Sequence, residues 1–206
     1  MITTADVKSA FSRAADALRK NSEYLVELDQ QLGDGDLGIT ARKIAEALDG
    51  YITQDQDESD IGKYIMGAGM KVNSAASSTM GSLLAIALMR AGSQAKGTSE
   101  LSLTQISEML KVAVQGILEK GKATLGDKTM LDALHPAVEA FAGAIASGKE
   151  TETAVKEMIT AAEKGLDEVT PLRNKVGRAS WLGERTEGKI DPGCALVVIV
   201  LKSLAG

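Results

Sequence analysis

The chain has 206 residues, a net charge of -5, 44% apolar and 25% charged residues, and only 3% aromatic residues. This is enough length for a sizeable core. The acidic balance without a basic stripe, and the scarcity of stacking aromatics, argue against nucleic acid as a partner. A single cysteine, Cys194, excludes an internal disulfide or a cysteine-cluster metal site and points to a reducing compartment.

In chain order, apolar residues recur at helical spacing almost throughout. Val7, Ala10, Phe11, Ala14 and Leu18 form a first stripe, and Ile106, Met109, Leu110, Ala113, Val114 and Ile117 form another. Similar patterns run through 44–48, 61–68, 83–89, 131–145 and 154–166. Thr4, Ser22, Ser102 and Thr151 precede such segments and are expected to cap them. The run from Ala195 to Leu201 is rich in β-branched residues, but with no partner strand it reads as a buried helix. At this length it cannot span a bilayer, and Met1-Ile2-Thr3 opens without a basic-then-apolar targeting pattern. The expectation is an all-α, single-domain protein over residues 1–206, with eight or nine helices, no membrane contact and a cytoplasmic location.

Four stretches resist a helical reading: 29–38, 73–79, 121–128 and 170–193. The first, in LDQQLGDGDLGIT, gathers Asp29, Asp34 and Asp36 around a glycine-rich turn. Their spacing fits no single helix face, yet the glycines let the chain bend the carboxylates together. Such a group raises its members' pKa values unless a cation neutralises them, and hard oxygen donors suit Mg²⁺ shared with phosphates. A solvated turn is the ordinary alternative. An EF-hand fails, because counting from Asp34 puts Ile39 at the glycine position and Ala45 at the glutamate position.

The second stretch, with Ser77, Ser78 and Thr79, runs into a helix and offers hydroxyl and N–H donors to an anion or, more simply, a cap. It matches neither a P-loop nor a dinucleotide fingerprint. The third carries Gly121 and ends near Met130, a side chain suited to an adenine face or to ordinary core. The fourth carries Arg178, whose planar fork fits phosphate oxygens, Trp181, readable as buried anchor or site wall, and Asp191-Pro192-Gly193.

LDQQLGDGDLG, GKATLGDKTMLDALHPA and GRASWLGERTEGKIDPG, in this order and spacing, resemble the nucleotide-binding L subunit of dihydroxyacetone kinases over nearly the whole chain. The resemblance implies an antiparallel barrel of about eight helices with ADP or ATP at one end. It implies two Mg²⁺ ions on Asp29, Asp34 and Asp36, and phosphates along Leu37, Gly38, Ile39, Thr40, Ser77, Ser78 and Thr79. Gly121 and Met130 would line the adenine pocket, Arg178 would contact phosphate, and Asp191, Pro192 and Gly193 would close over the nucleotide.

Two departures stand out: Leu37 replaces a histidine frequent after GDGD, and Ser-Ser-Thr-Met-Gly replaces a glycine- and proline-rich loop. The acceptor, dihydroxyacetone or a related short ketose, would sit on a separate K subunit, with a phosphotransferase-system protein as a possible phosphoryl donor. Arg178 would join the three aspartates in catalysis. His135, the single histidine, reads as structural. An ADP-bearing module that regulates a partner such as a transcription factor would use the same residues, as would a kinase for another acceptor, such as a tetrulose or a fatty acid.

Overall fold

The computed structural model describes residues 1–54 and 59–205. Its helices are α1 (Thr4–Lys20), α2 (Ser22–Gln30), α3 (Leu37–Ile52), α4 (Ile61–Ala75), α5 (Thr79–Gln94), α6 (Leu103–Gly121), α7 (Met130–Ala146), α8 (Thr151–Val169) and α9 (Pro192–Ser203). A 3-10 segment spans Arg178–Thr186, and two short strands, β1 (Ile2–Thr3) and β2 (Glu100–Leu101), pair antiparallel. The expected all-α class holds. The Ala195–Leu201 run is helical, inside α9, where its β-branched side chains are largely buried.

Eight helices close a ring. α1 packs on α3, each helix from α3 to α9 packs on the next, and α9 returns to α1. Short connections make most neighbours antiparallel, while α2 intervenes between α1 and α3 and residues 170–191 between α8 and α9. The short α2 lies against α3 and α9, outside the ring sequence. The interior divides into apolar groups bridged by Met80, Leu84 and Leu166, which pack against both of the larger ones. Burial of these side chains is the main favourable term in folding.

The α7–α8 contact shows how sequence sets packing distance. Pro136, inside α7, has no N–H to give the Asp132 carbonyl. A Cβ on Gly165 of α8 would lie 2.0 Å from that carbonyl oxygen, so only glycine permits the approach.

Helix ends differ in detail from the sequence expectation. Ser102 caps α6 with Gln105 in a capping box. The cap of α1 is Thr3 rather than Thr4, because Thr3 and Asp6 complete a reciprocal box. Ser22 and Thr151 are the first helical residues rather than caps. Ser22 instead donates to the Arg19 carbonyl and accepts from Arg42 Nε. The irregular stretches are also shorter than expected: α2 runs through Asp29 to Gln30, α4 reaches Ala75, and α6 includes Gly121.

Antiparallel closure has a directional consequence. The N-termini of α3, α5, α7 and α9 lie at one end of the barrel, and their first residues (Leu37, Thr79, Met130 and Pro192) all border one cavity.

Candidate functional site: an acidic cluster at the mouth of a barrel-end cavity

The cluster begins on α2, whose last turn carries Asp29. The chain then reverses through Gly33–Asp36, where Gly35 takes φ +76°, a left-handed conformation natural to glycine. One carboxylate oxygen from each of Asp29, Asp34 and Asp36 lies within 4.8 Å of the others. Asp29 Oδ2 accepts from the Leu37 N–H at 3.1 Å, which fixes the turn to the start of α3. Burial, and then the neighbouring Asp29 charge, push the Asp36 carboxyl above its ordinary range.

Arg178 reaches the same place from the 3-10 segment. Its guanidinium donates to Asp34 Oδ2 and, at 3.2 Å, to Asp36 Oδ2. The arginine therefore supplies positive charge where three carboxylates converge. An all-oxygen donor set of this size and charge fits a hard divalent cation such as Mg²⁺.

Behind the cluster is a cavity of about 270 Å³. Asp29, Asp36, Leu37, Ser78, Thr79 and Arg178 border its polar part, together with Asp191, Pro192 and Gly193. Met80, Leu83, Ile117, Ala123, Met130 and Leu131 supply an apolar wall, with Gly121 beside it. A more open cleft of about 640 Å³ adjoins it and adds Ser77, Asn73 and Lys120. Four helix N-termini meet here, so free N–H groups and the positive ends of four helix dipoles face one space. Three of these helices, α5, α7 and α9, carry side-chain caps, whereas Asp36 makes no cap bond to α3. Ser78 Oγ accepts from Gly81 N at 3.0 Å, Thr129 pairs with Asp132 in a capping box, and Asp191 Oδ1 accepts from Cys194 N at 2.8 Å. Enclosure pushes the Asp191 carboxyl up from its usual range.

Several sequence-identified residues sit off the wall. Thr40 is buried one turn into α3, and its hydroxyl donates to Ser78 Oγ at 3.1 Å. Gly38 packs on the Ser22 carbonyl of α2. Ile39 is 53% exposed and is not among the lining residues. Asp34 is exposed and joins the cluster from the solvent side. Trp181 is neither anchor nor wall: it is 91% exposed on the loop that carries Arg178. His135 lies half-buried on α7, away from the cavity lining.

Sequence reasoning passed over a buried polar set in the cavity wall, Lys128 and Asn174 beside Asp191. The Lys128 ammonium donates to the carbonyls of Thr170 (2.8 Å), Leu172 (2.9 Å) and Thr186 (2.7 Å). Burial pushes it below its ordinary range, partly offset by the Asp191 charge. Asn174 Nδ2 donates to the Lys128 carbonyl at 2.8 Å and to Asp191 Oδ2 at 3.1 Å. The Thr129–Asp132 spacing and the Asp191-Pro192 pair are legible helix starts. Nothing local in the sequence marks Lys128 as buried.

The helical barrel thus brings a carboxylate cluster, four converging helix N-termini and an apolar recess to one end. The DAK2 domain family matches residues 31–206, and the chain belongs to that family. It is 30% identical over 198 residues to the PEP-dependent dihydroxyacetone kinase, ADP-binding subunit DhaL, of Escherichia coli, covering 94% of this chain and 92% of that one. The corresponding ADP-binding subunit of the PEP-dependent dihydroxyacetone kinase 2 of Listeria innocua is 31% identical over 195 residues, with 91% and 88% covered. The L-erythrulose kinase of Pectobacterium atrosepticum is 26% identical over 200 residues, but this chain spans only 34% of its length. In fold, the chain superposes on the crystal structure of the dihydroxyacetone kinase of C. freundii with a TM-score of 0.77 at 24% identity, over all of this chain and 35% of that one. Among the described residues, no helix is long and apolar enough to cross a membrane.

Proposed function

We propose that this chain is the nucleotide- and Mg²⁺-holding subunit of a dihydroxyacetone-type kinase, passing a phosphoryl group to a short ketose held on a separate K-type subunit. The observation that carries this reading is the carboxylate cluster at the mouth of a cavity bordered by four helix N-termini. Asp29, Asp34 and Asp36 would hold two Mg²⁺ ions, which when bound neutralise phosphate charge and favour the charge spread over the transferring group.

The chain's own groups do the rest. The first turns of α3, α5, α7 and α9 orient the phosphates through backbone N–H groups and helix dipoles. Ser78 and Thr79 add hydroxyls. Met80, Leu83, Ile117 and Met130 surround the base and exclude water. Arg178, already at Asp34 and Asp36, is placed to follow negative charge onto a phosphate oxygen with its planar fork. Catalysis by this chain comes mainly from positioning and charge neutralisation, with any general base supplied by the substrate pocket of the partner.

The two relatives covered almost in full are both named ADP-binding subunits of PEP-dependent kinases. This supports the version in which ADP stays bound as a cofactor and is rephosphorylated in place by a phosphotransferase protein, rather than ATP exchanging each turnover. The test is to dialyse the purified protein extensively, assay released nucleotide, and then measure ketose phosphate formation with a K-type partner. Retained ADP and turnover through a phosphotransferase donor are expected. An empty protein that turns over with added ATP would overturn the bound-cofactor version. The absence of any transfer from either donor would overturn the kinase reading.

A further inference from the structure

Lys128 is fully enclosed, at 0% exposure, and its backbone takes φ +62°. Both features cost stability. A left-handed conformation strains a residue with a Cβ, and a buried ammonium is tolerated only when its hydrogens are matched. Here all three are matched, and the acceptors are backbone carbonyls rather than a carboxylate: Thr170, Leu172 and Thr186. Those carbonyls have a common property. Thr170 and Leu172 lie where the chain leaves α8, and Thr186 lies where the 3-10 segment ends. Between them runs the excursion that carries Arg178.

The base of that excursion carries further bonds. Arg173 donates to Glu187 at 2.5 Å and to Glu184 at 2.8 Å, and Lys175 N donates to the Asp127 carbonyl at 3.0 Å. Gly188 N donates to the Thr170 carbonyl at 3.0 Å, and Asn174 N donates to Thr186 Oγ1 at 3.0 Å. Its outer part is different. Trp181 is 91% exposed, and Arg178 ties the loop to the acidic cluster through Asp34 and Asp36.

We propose that Lys128 is a positioning residue that acts through Arg178. Its ammonium fastens both ends of the Arg178 loop to one buried point and so holds the guanidinium at the carboxylate cluster. The loop is thus fixed at its base by Lys128 and at its tip by Arg178. Losing the base releases the tip into a wider set of positions, and apparent affinity falls by the fraction of time the competent position is occupied.

Lys128→Met keeps the length of the side chain and removes its donors. Trp181, the single tryptophan, reports directly on the loop. In a variant whose far-UV circular dichroism matches the parent protein, Trp181 anisotropy should fall. Release of Mg²⁺-ADP should accelerate about tenfold in the parent background and less than about twofold in an Arg178→Ala background, because residues acting as one unit are not additive. Unchanged anisotropy would overturn the proposal, as would equal acceleration in both backgrounds.

A measurement on the unaltered protein decides the matter even if Lys128→Met fails to fold. The amides of Asn174 and Gly188 should exchange with deuterium at least about a hundredfold more slowly than those of 178–183. Equal exchange at base and tip contradicts a clamp. The release experiment rests on the nucleotide reading above, whereas anisotropy and exchange do not. A protein that binds no ADP would therefore remove that reading and leave the clamp to be judged on the loop itself.

Discussion

The hydroxyl of Thr40 donates to the hydroxyl of Ser78 across 3.1 Å and joins the first turns of α3 and α5 at the cavity. Ser78 Oγ also accepts from Gly81 N, so one oxygen both caps α5 and anchors α3. Ser78→Ala removes both roles and should cost about 1 kcal/mol of stability. In a chain of this size that lowers the melting temperature by about 2–4 °C. Thr40→Val should cost a similar or smaller amount, and the double variant should cost less than the sum, because the two changes delete one shared bond. Thermal melts of the three variants check this.

Arg178→Lys keeps the charge and loses the planar fork. Phosphoryl transfer with a K-type partner should fall about tenfold or more in kcat/KM. Helix content should not change, since the side chain is largely exposed. Steady-state kinetics on the variant, with circular dichroism as the control, tests the role. Unchanged kcat/KM would remove Arg178 from the phosphate contacts.

Cys194 lies in the first turn of α9, fully buried, and its thiol donates to the Thr129 carbonyl at 2.9 Å. Burial, with Asp191 and Asp132 nearby, pushes the thiol far above its ordinary range. The thiolate is the reactive form, so the folded protein should resist alkylation at neutral pH and label only on unfolding. Labelling by a thiol reagent across a denaturant series should track loss of helix signal.

Asp127 organises the loop before α7 by accepting from Thr124 N at 2.8 Å and Thr124 Oγ1 at 2.9 Å. These bonds, the backbone one foremost, hold its carboxyl below the usual range. A depressed carboxyl pKa in the folded state contributes stability above the unfolded value, near about 3.9, that is lost as pH falls through the folded value. Asp127→Asn should therefore lower stability by about 1 kcal/mol at pH 7. The difference from the parent protein should close as pH falls through the folded-state value, which lies below the ordinary carboxylate range. Denaturant titrations of both proteins across an acid pH series measure it.

Helices were legible because their apolar stripes are long. The stripe from Val7 to Leu18 lies on α1, and that from Ile106 to Ile117 lies on α6. Their ends were less so. Thr3 outcompetes Thr4 as a cap only because Asp6 sits three residues on, a pairing visible in sequence but decided by backbone geometry. The acidic cluster was legible from its glycines, although Asp29 proved to be helical. Lys128 was not, because its partners lie 42, 44 and 58 residues away and are backbone carbonyls that carry no sequence signature. Nor was the exposure of Trp181, because its residue type suggests burial.

On the proposed function, Asp29, Asp34 and Asp36 hold the cation that binds nucleotide phosphate. Calorimetric titration of ADP into nucleotide-stripped protein, with and without Mg²⁺, tests it most directly when done for the parent chain and for Asp34→Ala. The parent should bind ADP tightly only with Mg²⁺. Asp34→Ala should lose at least about a hundredfold in affinity, the scale of a removed charged partner. Its melting should stay nearly unchanged, since Asp34 is exposed and contributes little to the core. Undiminished Mg²⁺-dependent ADP binding by folded Asp34→Ala would contradict the account.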